Sequence, residues 1–318
     1  MHSDSKKYMN IQVEYKDNVG NISNRSYAMT RLAFAKHMAI AGQRYAPVPQ
    51  KLMRTIAMFL HYSFYLKRQE FYNNKFSVPP TQLYDPTEKG QFSNLAGKAI
   101  ADFLSKRIDR SLYTVNYEAA MKLLNMPLNV GRPDLIAYTT NSTFAIEAKG
   151  YSRGCGNMTT HKNQSTTGGI PVNFTVACVS YNLYNQVKCK YYDPYNDNIQ
   201  FDFEGLKELT KIYYSGLSEF LNEKFFSYEE MEINEETFYI VDFNFRKLEK
   251  IFKIDFPFPP FHYFDFFEIY RPRIILPSNI KELAENGLSK ETKPFDFKIS
   301  KQDNIYIDND RVGLRIDR

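Results

Sequence analysis

Apolar residues recur along the chain with two periods, one near two and one near three to four, and their succession predicts a mixed α/β protein. Ile11, Val13 and Tyr15 alternate with polar neighbours and read as one strand, closed by the turn signal Asn18-Val19-Gly20-Asn21. Helical spacing follows from Met29 to Ala41. It returns from Pro49 to Phe71, where Leu52, Ile56, Phe59, Leu60 and Phe64 lie three and four apart and Pro49 suits a first turn. Asn73 to Gln91 is rich in Asn, Pro, Asp and Gly and reads as a linker or long loop. From Phe92 to Lys106 the helical period resumes, with Leu95, Ala96, Ala99, Ile100, Phe103 and Leu104 forming a stripe behind a Ser93 or Asn94 cap. Strand-like runs come next at Tyr113 to Tyr117, Leu135 to Tyr138, Thr143 to Ala148, Phe174 to Tyr181 and Gln186 to Tyr191. A polar helical stretch, Asn157 to Thr166, separates the third from the fourth. A further helix is expected over Phe203 to Phe226. Beyond Tyr228 the chain is acidic, then aromatic and proline-broken from Phe256 to Tyr270, and ends in a hairpin around Asp308-Asn309-Asp310.

This order suggests three parts: a mainly helical N-terminal domain over residues 1–88, an α/β core over 89–225 and a C-terminal α/β region over 226–318. A length of 318 residues fits one large or two modest domains, and 43% hydrophobic with 24% charged residues excludes a disordered or fibrous chain. The most apolar run, Thr55 to Leu66, is interrupted by His61 and Ser63 and falls short of the roughly 20 residues a bilayer span needs. With a polar start and only three cysteines, Cys155, Cys178 and Cys189, the expectation is a cytoplasmic protein without a disulfide framework or a structural zinc site.

Charge changes this picture by its distribution. Residues 1–110 hold 17 Lys and Arg against 8 Asp and Glu, whereas the remainder is slightly acidic within a net charge of +5. A basic first third suits either a surface that meets polynucleotide phosphates or an ordinary solvated face. Within it, His61-Tyr62-Ser63-Phe64-Tyr65-Leu66-Lys67-Arg68 suits either base stacking or core packing, with Lys67 and Arg68 exposed at its end. Phe256 to Tyr270 likewise suits a partner interface or a lid.

The segment that carries chemistry is Gly131-Arg132-Pro133-Asp134 through Glu147-Ala148-Lys149-Gly150. Its halves read as paired strands with a turn in Thr139 to Ser142. A two-residue turn at Thr140-Asn141 sets Asp134 opposite Glu147, and one at Asn141-Ser142 sets it opposite Lys149. Because side chains alternate faces, Asp134 shares a face with Glu147 and Lys149 in both registers, beside the small Ala145. Two carboxylates and an ammonium, with the Ala148 carbonyl between them as a further oxygen donor, suit a hard divalent cation, Mg²⁺ with Mn²⁺ as a substitute. Such an ion would acidify a water and neutralise charge developing on a phosphate.

These residues resemble the signature of the PD-(D/E)xK nucleases: Pro133-Asp134, twelve residues, then Glu147-Ala148-Lys149. The resemblance spans about residues 89–225. It implies a restriction-endonuclease-like αβββαβ core in which Asp134 and Glu147 bind the metal and Lys149 assists the attacking water. It further implies cleavage of phosphodiester bonds, in DNA rather than RNA, and a restriction or defence role. A homodimer or an activating protein partner accords with it. The acid that many members carry on the first core helix has no match in Gln91 to Ala101, which leaves Glu88, Asp102 and Glu118 as candidates. Lys162 and Gln164 are the candidates for a second-helix contact to phosphate or water, and Lys67, Arg68 and Arg132 for nucleic-acid contact. Two alternatives stay open: a non-catalytic nucleic-acid-binding or scaffold protein with the same fold, and a ribonuclease with the same core. A Cys155–His161 hydrolase and a phosphate loop at Gly168-Gly169 lack the surrounding motifs.

Overall fold

The computed structural model describes residues 7–42, 62–78, 85–193, 203–224, 226–242, 271–288 and 304–316. They belong to two compact units, parting at Leu206 and Lys207.

The first unit is built on a mixed sheet. Its elements in chain order are β1 (Met9–Lys16), β2 (Ile22–Met29), α1 (Arg31–Ile40), a 3₁₀ turn (Ser63–Leu66), α2 (Arg68–Tyr72), α3 (Pro86–Ile108), β3 (Tyr113–Asn116), α4 (Tyr117–Leu123), β4 (Leu135–Tyr138), β5 (Thr143–Gly150), α5 (Met158–Ser165), β6 (Phe174–Tyr181) and β7 (Lys188–Tyr192). The seven strands lie in the order β2-β1-β7-β6-β5-β4-β3. Pairs β3–β4 and β4–β5 are antiparallel, whereas β5–β6 is parallel, with α5 in the crossover.

The expected boundary at residue 88 is not where the chain divides. Met9, Ile11 and Val13 of β1 are buried, and β1 pairs in parallel with β7, so the N-terminal strand completes the same sheet as the motif. Helix α1, capped by Thr30, buries nine of its ten residues; Phe34 meets Phe92 and His37 meets Phe103 on α3. These apolar faces have no separate core. Strand β2 escapes the period-two test because Ser23 to Ser26 are exposed on a sheet-edge strand, where no face demands apolar residues. The helix expected from Pro49 lies outside the described residues as far as His61. Its described end is the 3₁₀ turn and α2. There Tyr62 and Tyr65 are buried against Phe92, with Tyr65 stacked at 4.0 Å, which decides for core packing over base stacking; Lys67 and Arg68 are exposed.

Helix α3 starts six residues before its expected position. Asp85 caps it by accepting from the Thr87 amide and Pro86 takes the first turn, a start signal lodged inside what reads as a linker.

The second unit holds α6 from residue 207 onward (Phe203–Ser218), a 3₁₀ turn (Glu219–Leu221), β8 (Ser227–Ile233), β9 (Glu236–Asp242), β10 (Pro272–Pro277), α7 (Ile280–Asn286), β11 (Ile305–Ile307) and β12 (Gly313–Ile316). Its antiparallel sheet has the order β11-β12-β10-β9-β8, around Phe238, Ile240, Ile275 and Ile307. The expected hairpin at Asp308-Asn309-Asp310 joins β11 and β12, and Tyr213 of α6 donates to Asp310 Oδ2 at 2.7 Å. The aromatic stretch Phe256 to Tyr270 lies outside the described residues. Among the described residues no helix is long and apolar enough to cross a membrane.

Candidate metal and phosphate site

The site begins with a register. Leu135 faces Ile146 across β4 and β5, and the turn closes through Thr139, whose amide donates to Ser142 O while its hydroxyl oxygen accepts from the Asn141 and Ser142 amides. Continued by one residue, this register sets Asp134 opposite Glu147, the arrangement that a turn at Thr140-Asn141 demands. Asp134 is held at both ends: its amide donates to Ile146 O, and its Oδ2 accepts from the Ala148 amide at 3.2 Å. The Ala148 amide therefore serves to aim Asp134.

Strand β5 lies between β4 and β6, which accounts for the complete burial of Glu147. Neither Glu147 oxygen accepts a well-angled hydrogen bond among the described residues, although the Lys149 ammonium stands against Oε1 as an ion pair. Lys149 Nζ is also 3.4 Å from Asp134 Oδ2. Burial, and then the neighbouring Asp134 charge, push the Glu147 carboxyl up to about 7 against the opposing pull of Lys149 and Lys98. For Lys149, burial alone favours the neutral amine, but Asp134 and Glu147 outweigh it and hold the ammonium above the usual lysine range. Ala145, on the same face, is buried.

A fourth charged group comes from α3. A Cβ on Gly97 would lie 2.5 Å from Gly150 N, and one on Gly150 would lie 1.8 Å from Ser93 O, so helix and strand cross where only two glycines fit. The next residue, Lys98, thereby reaches Asp134 Oδ1 at 3.0 Å. Sequence reasoning sought an acid on this helix and passed over the cation four residues before Asp102. The shared helix face of positions 98 and 102 was the available signal.

The other candidates stand elsewhere. Asp102 is buried, 2.6 Å from His37 Nδ1, and accepts from Thr114 Oγ1 at 2.8 Å; these partners, with Lys36 and Lys106, lie on α1, α3 and β3, not in the motif. Glu88 accepts from Tyr65 at 3.2 Å. Glu118, on α4, gives one oxygen to Lys122 and the other to Arg132, each at 2.5 Å, and these bonds lower its carboxyl to about 2. Arg132 also donates to Leu128 O at 2.9 Å and so braces the loop before Asp134. Lys162 is tied to Ser165 and Thr175, and Gln164 is half-buried on α5 with its carbonyl bonded to Thr167. From α5 it is His161 that approaches the motif, 3.2 Å from Tyr151 Oη; burial first and the Lys149 charge second lower its pKa. Cys155 Sγ meets Gly156 O at 3.6 Å.

A cavity of about 260 Å³ opens at the opposite, hairpin-turn end of β4 and β5, lined in part by Asp109, Thr139, Asn141 and Asp193. Its carboxylates are engaged by the sheet, Asp109 by the Tyr191 hydroxyl and Asp193 by that of Tyr15.

Among the described residues no three or more His, Cys, Asp or Glu side chains converge. Two carboxylates are nonetheless the number with which Mg²⁺ is commonly held while it keeps waters, and a buried carboxylate with one unpartnered oxygen is a donor of the right hardness. Comparison of the chain with protein-family models, with curated proteins and with solved structures gives no match.

Proposed function

We propose that the chain is a metal-dependent nuclease that hydrolyses phosphodiester bonds in DNA, on a restriction-endonuclease-like core. The order α3, β3, β4, β5, α5, β6, with two antiparallel pairings and then a parallel one, supports this reading; α4, inserted between β3 and β4, departs from it. The observation that carries it is Glu147, a buried carboxylate that faces Asp134, meets Lys149 through Oε1 and keeps Oε2 without a partner among the described residues.

Asp134 and Glu147 would hold a divalent cation, which supplies positive charge to offset that developing on the scissile phosphate. Fixed by the Ala148 amide, Asp134 needs little reorganisation to serve. Lys149 stays protonated between the two acids and orients a water by donating to it. The basic first third of the chain adds affinity for polynucleotide.

One observation favours the non-cleaving alternative, a nucleic-acid-binding protein: Lys98 and Lys149 already neutralise the two carboxylates. Incubation of plasmid DNA, single-stranded DNA and RNA with the protein and Mg²⁺ or Mn²⁺ separates the readings. The expected result is DNA cleavage that falls by at least about 10²-fold in Asp134→Ala and Lys149→Met. Binding without cleavage dependent on Asp134 favours the alternative, and cleavage of RNA alone the ribonuclease.

A further inference from the structure

Lys98 is the one member of the charged group supplied by a helix, and its surroundings differ from those of Lys149. Lys149 is shared between two acids, one fully buried, whereas the ammonium of Lys98 has Asp134 as its ion-pair partner among the described residues. Its side chain keeps a third of its surface exposed. Lysine is a hydrated point charge on a flexible stem, able to leave one anion for another without disturbing the helix that bears it. An ammonium 3.0 Å from Asp134 Oδ1 fills one of that oxygen's lone pairs and repels a dication approaching the other, so the two cations compete for it. With both carboxylates ionised, the two ammoniums make the group neutral, and a dication in the place of Lys98 leaves that amine without its carboxylate, beside a site made electropositive.

We propose that Lys98 is an exchangeable cation: it holds Asp134 while the metal is absent, yields it to the metal, and then binds a phosphate oxygen of the polynucleotide. This rests on the metal-site reading given above. Lys98 thus competes with the metal and cooperates with the substrate, and these effects have opposite signs. The Gly97–Gly150 crossing allows both, because it fixes the root of the side chain next to β5 while its end remains in solvent.

Two measurements on the full chain test it, using wild type, Lys98→Met and Lys98→Gln. Calorimetric titration with Mn²⁺ is expected to show binding about fivefold tighter in both variants than in wild type, the scale of a part-exposed ion pair. Fluorescence anisotropy with a short DNA duplex, Ca²⁺ replacing Mn²⁺ to prevent turnover, is expected to show weaker binding. The slope of log affinity against log salt should be smaller by about one, the signature of one lost phosphate contact. A helix-packing role alone leaves that slope unchanged. Unchanged or weaker Mn²⁺ binding in both variants, with wild type binding normally, overturns the exchange and leaves the metal site standing; an unchanged salt slope overturns the phosphate contact. Absence of Mn²⁺ binding in wild type and variants alike overturns both this inference and the reading beneath it.

Discussion

Helix α3 serves two carboxylate clusters one turn apart, and they are satisfied in opposite ways. At Asp102 both oxygens are taken, one by His37 and one by Thr114, with the buried Lys36 and Lys106 close enough to act on its charge. Burial alone raises its pKa, but Lys106, His37 and Lys36 outweigh this and hold it down to about 2. At Glu147 burial is equally complete but, among the described residues, only Oε1 is engaged, by the Lys149 ammonium, and the carboxyl rises to about 7. Burial does not distinguish structure from function here; the completeness of the partners does. Asp102 belongs to the assembly of α1, α3 and β3, and Glu147 is the carboxylate that the proposed metal site requires.

The strongest test of this contrast is Asp102→Ala, which removes the counter-charge shared by His37, Lys36 and Lys106. The expected loss is about 3–5 kcal/mol by urea denaturation at pH 7, the cost of stripping one partner from a buried charged group. Since the folded pKa lies below the ordinary 3.8, the stabilisation from Asp102 is complete above about pH 4 and disappears as pH falls through about 2. A loss under about 1 kcal/mol at neutral pH would place Asp102 with the exposed acids and dissolve the contrast.

Glu147→Gln should act in the other direction. Its folded pKa of about 7 exceeds the ordinary 4.5, so the native state holds the proton longer, and ionisation weighs against folding as pH rises through 7. Removing the charge in metal-free protein should raise stability by about 3 kcal/mol at pH 8 and by under about 1 kcal/mol at pH 5. Urea denaturation at the two pH values measures this. Destabilisation at pH 8 would mean that the ionised carboxylate is satisfied after all.

Much of this architecture was legible beforehand. Strands β4 and β6 have the expected limits and α5 differs by a residue at each end, because Leu135 to Tyr138 and Phe174 to Tyr181 are apolar runs and Asn157 is a capping residue. The Asp134–Glu147 facing followed from the period of two and a two-residue turn. Other features were hidden for physical reasons. The pairing of β1 with β7 joins strands some 175 residues apart, a contact that no local pattern encodes. Helix α4 is seven residues long, too short for a helical period to declare itself, and its Asn116 cap sits inside a strand-like run. Lys98 was missed because its role depends on the close approach of Gly97 to Gly150, two glycines that look unremarkable in sequence.

Glu118 provides the smallest effect and the sharpest limit on the contrast. Like Asp102 it has a depressed pKa, through its bonds to Lys122 and then Arg132, but like Asp134 it is half-exposed and close in sequence to the motif. If completeness of partners is the deciding property, Glu118 is structural despite its exposure. Glu118→Gln should then leave Mn²⁺ affinity within about twofold of wild type, while Asp134→Asn abolishes binding under the same titration. Its consequence should be local: Arg132 loses a carboxylate, and amide exchange should quicken in residues 124–133, which that guanidinium braces through Leu128 O. A large loss of Mn²⁺ affinity in Glu118→Gln would instead make it the missing acid of the first part of the core, released from Lys122 and Arg132 when the metal enters.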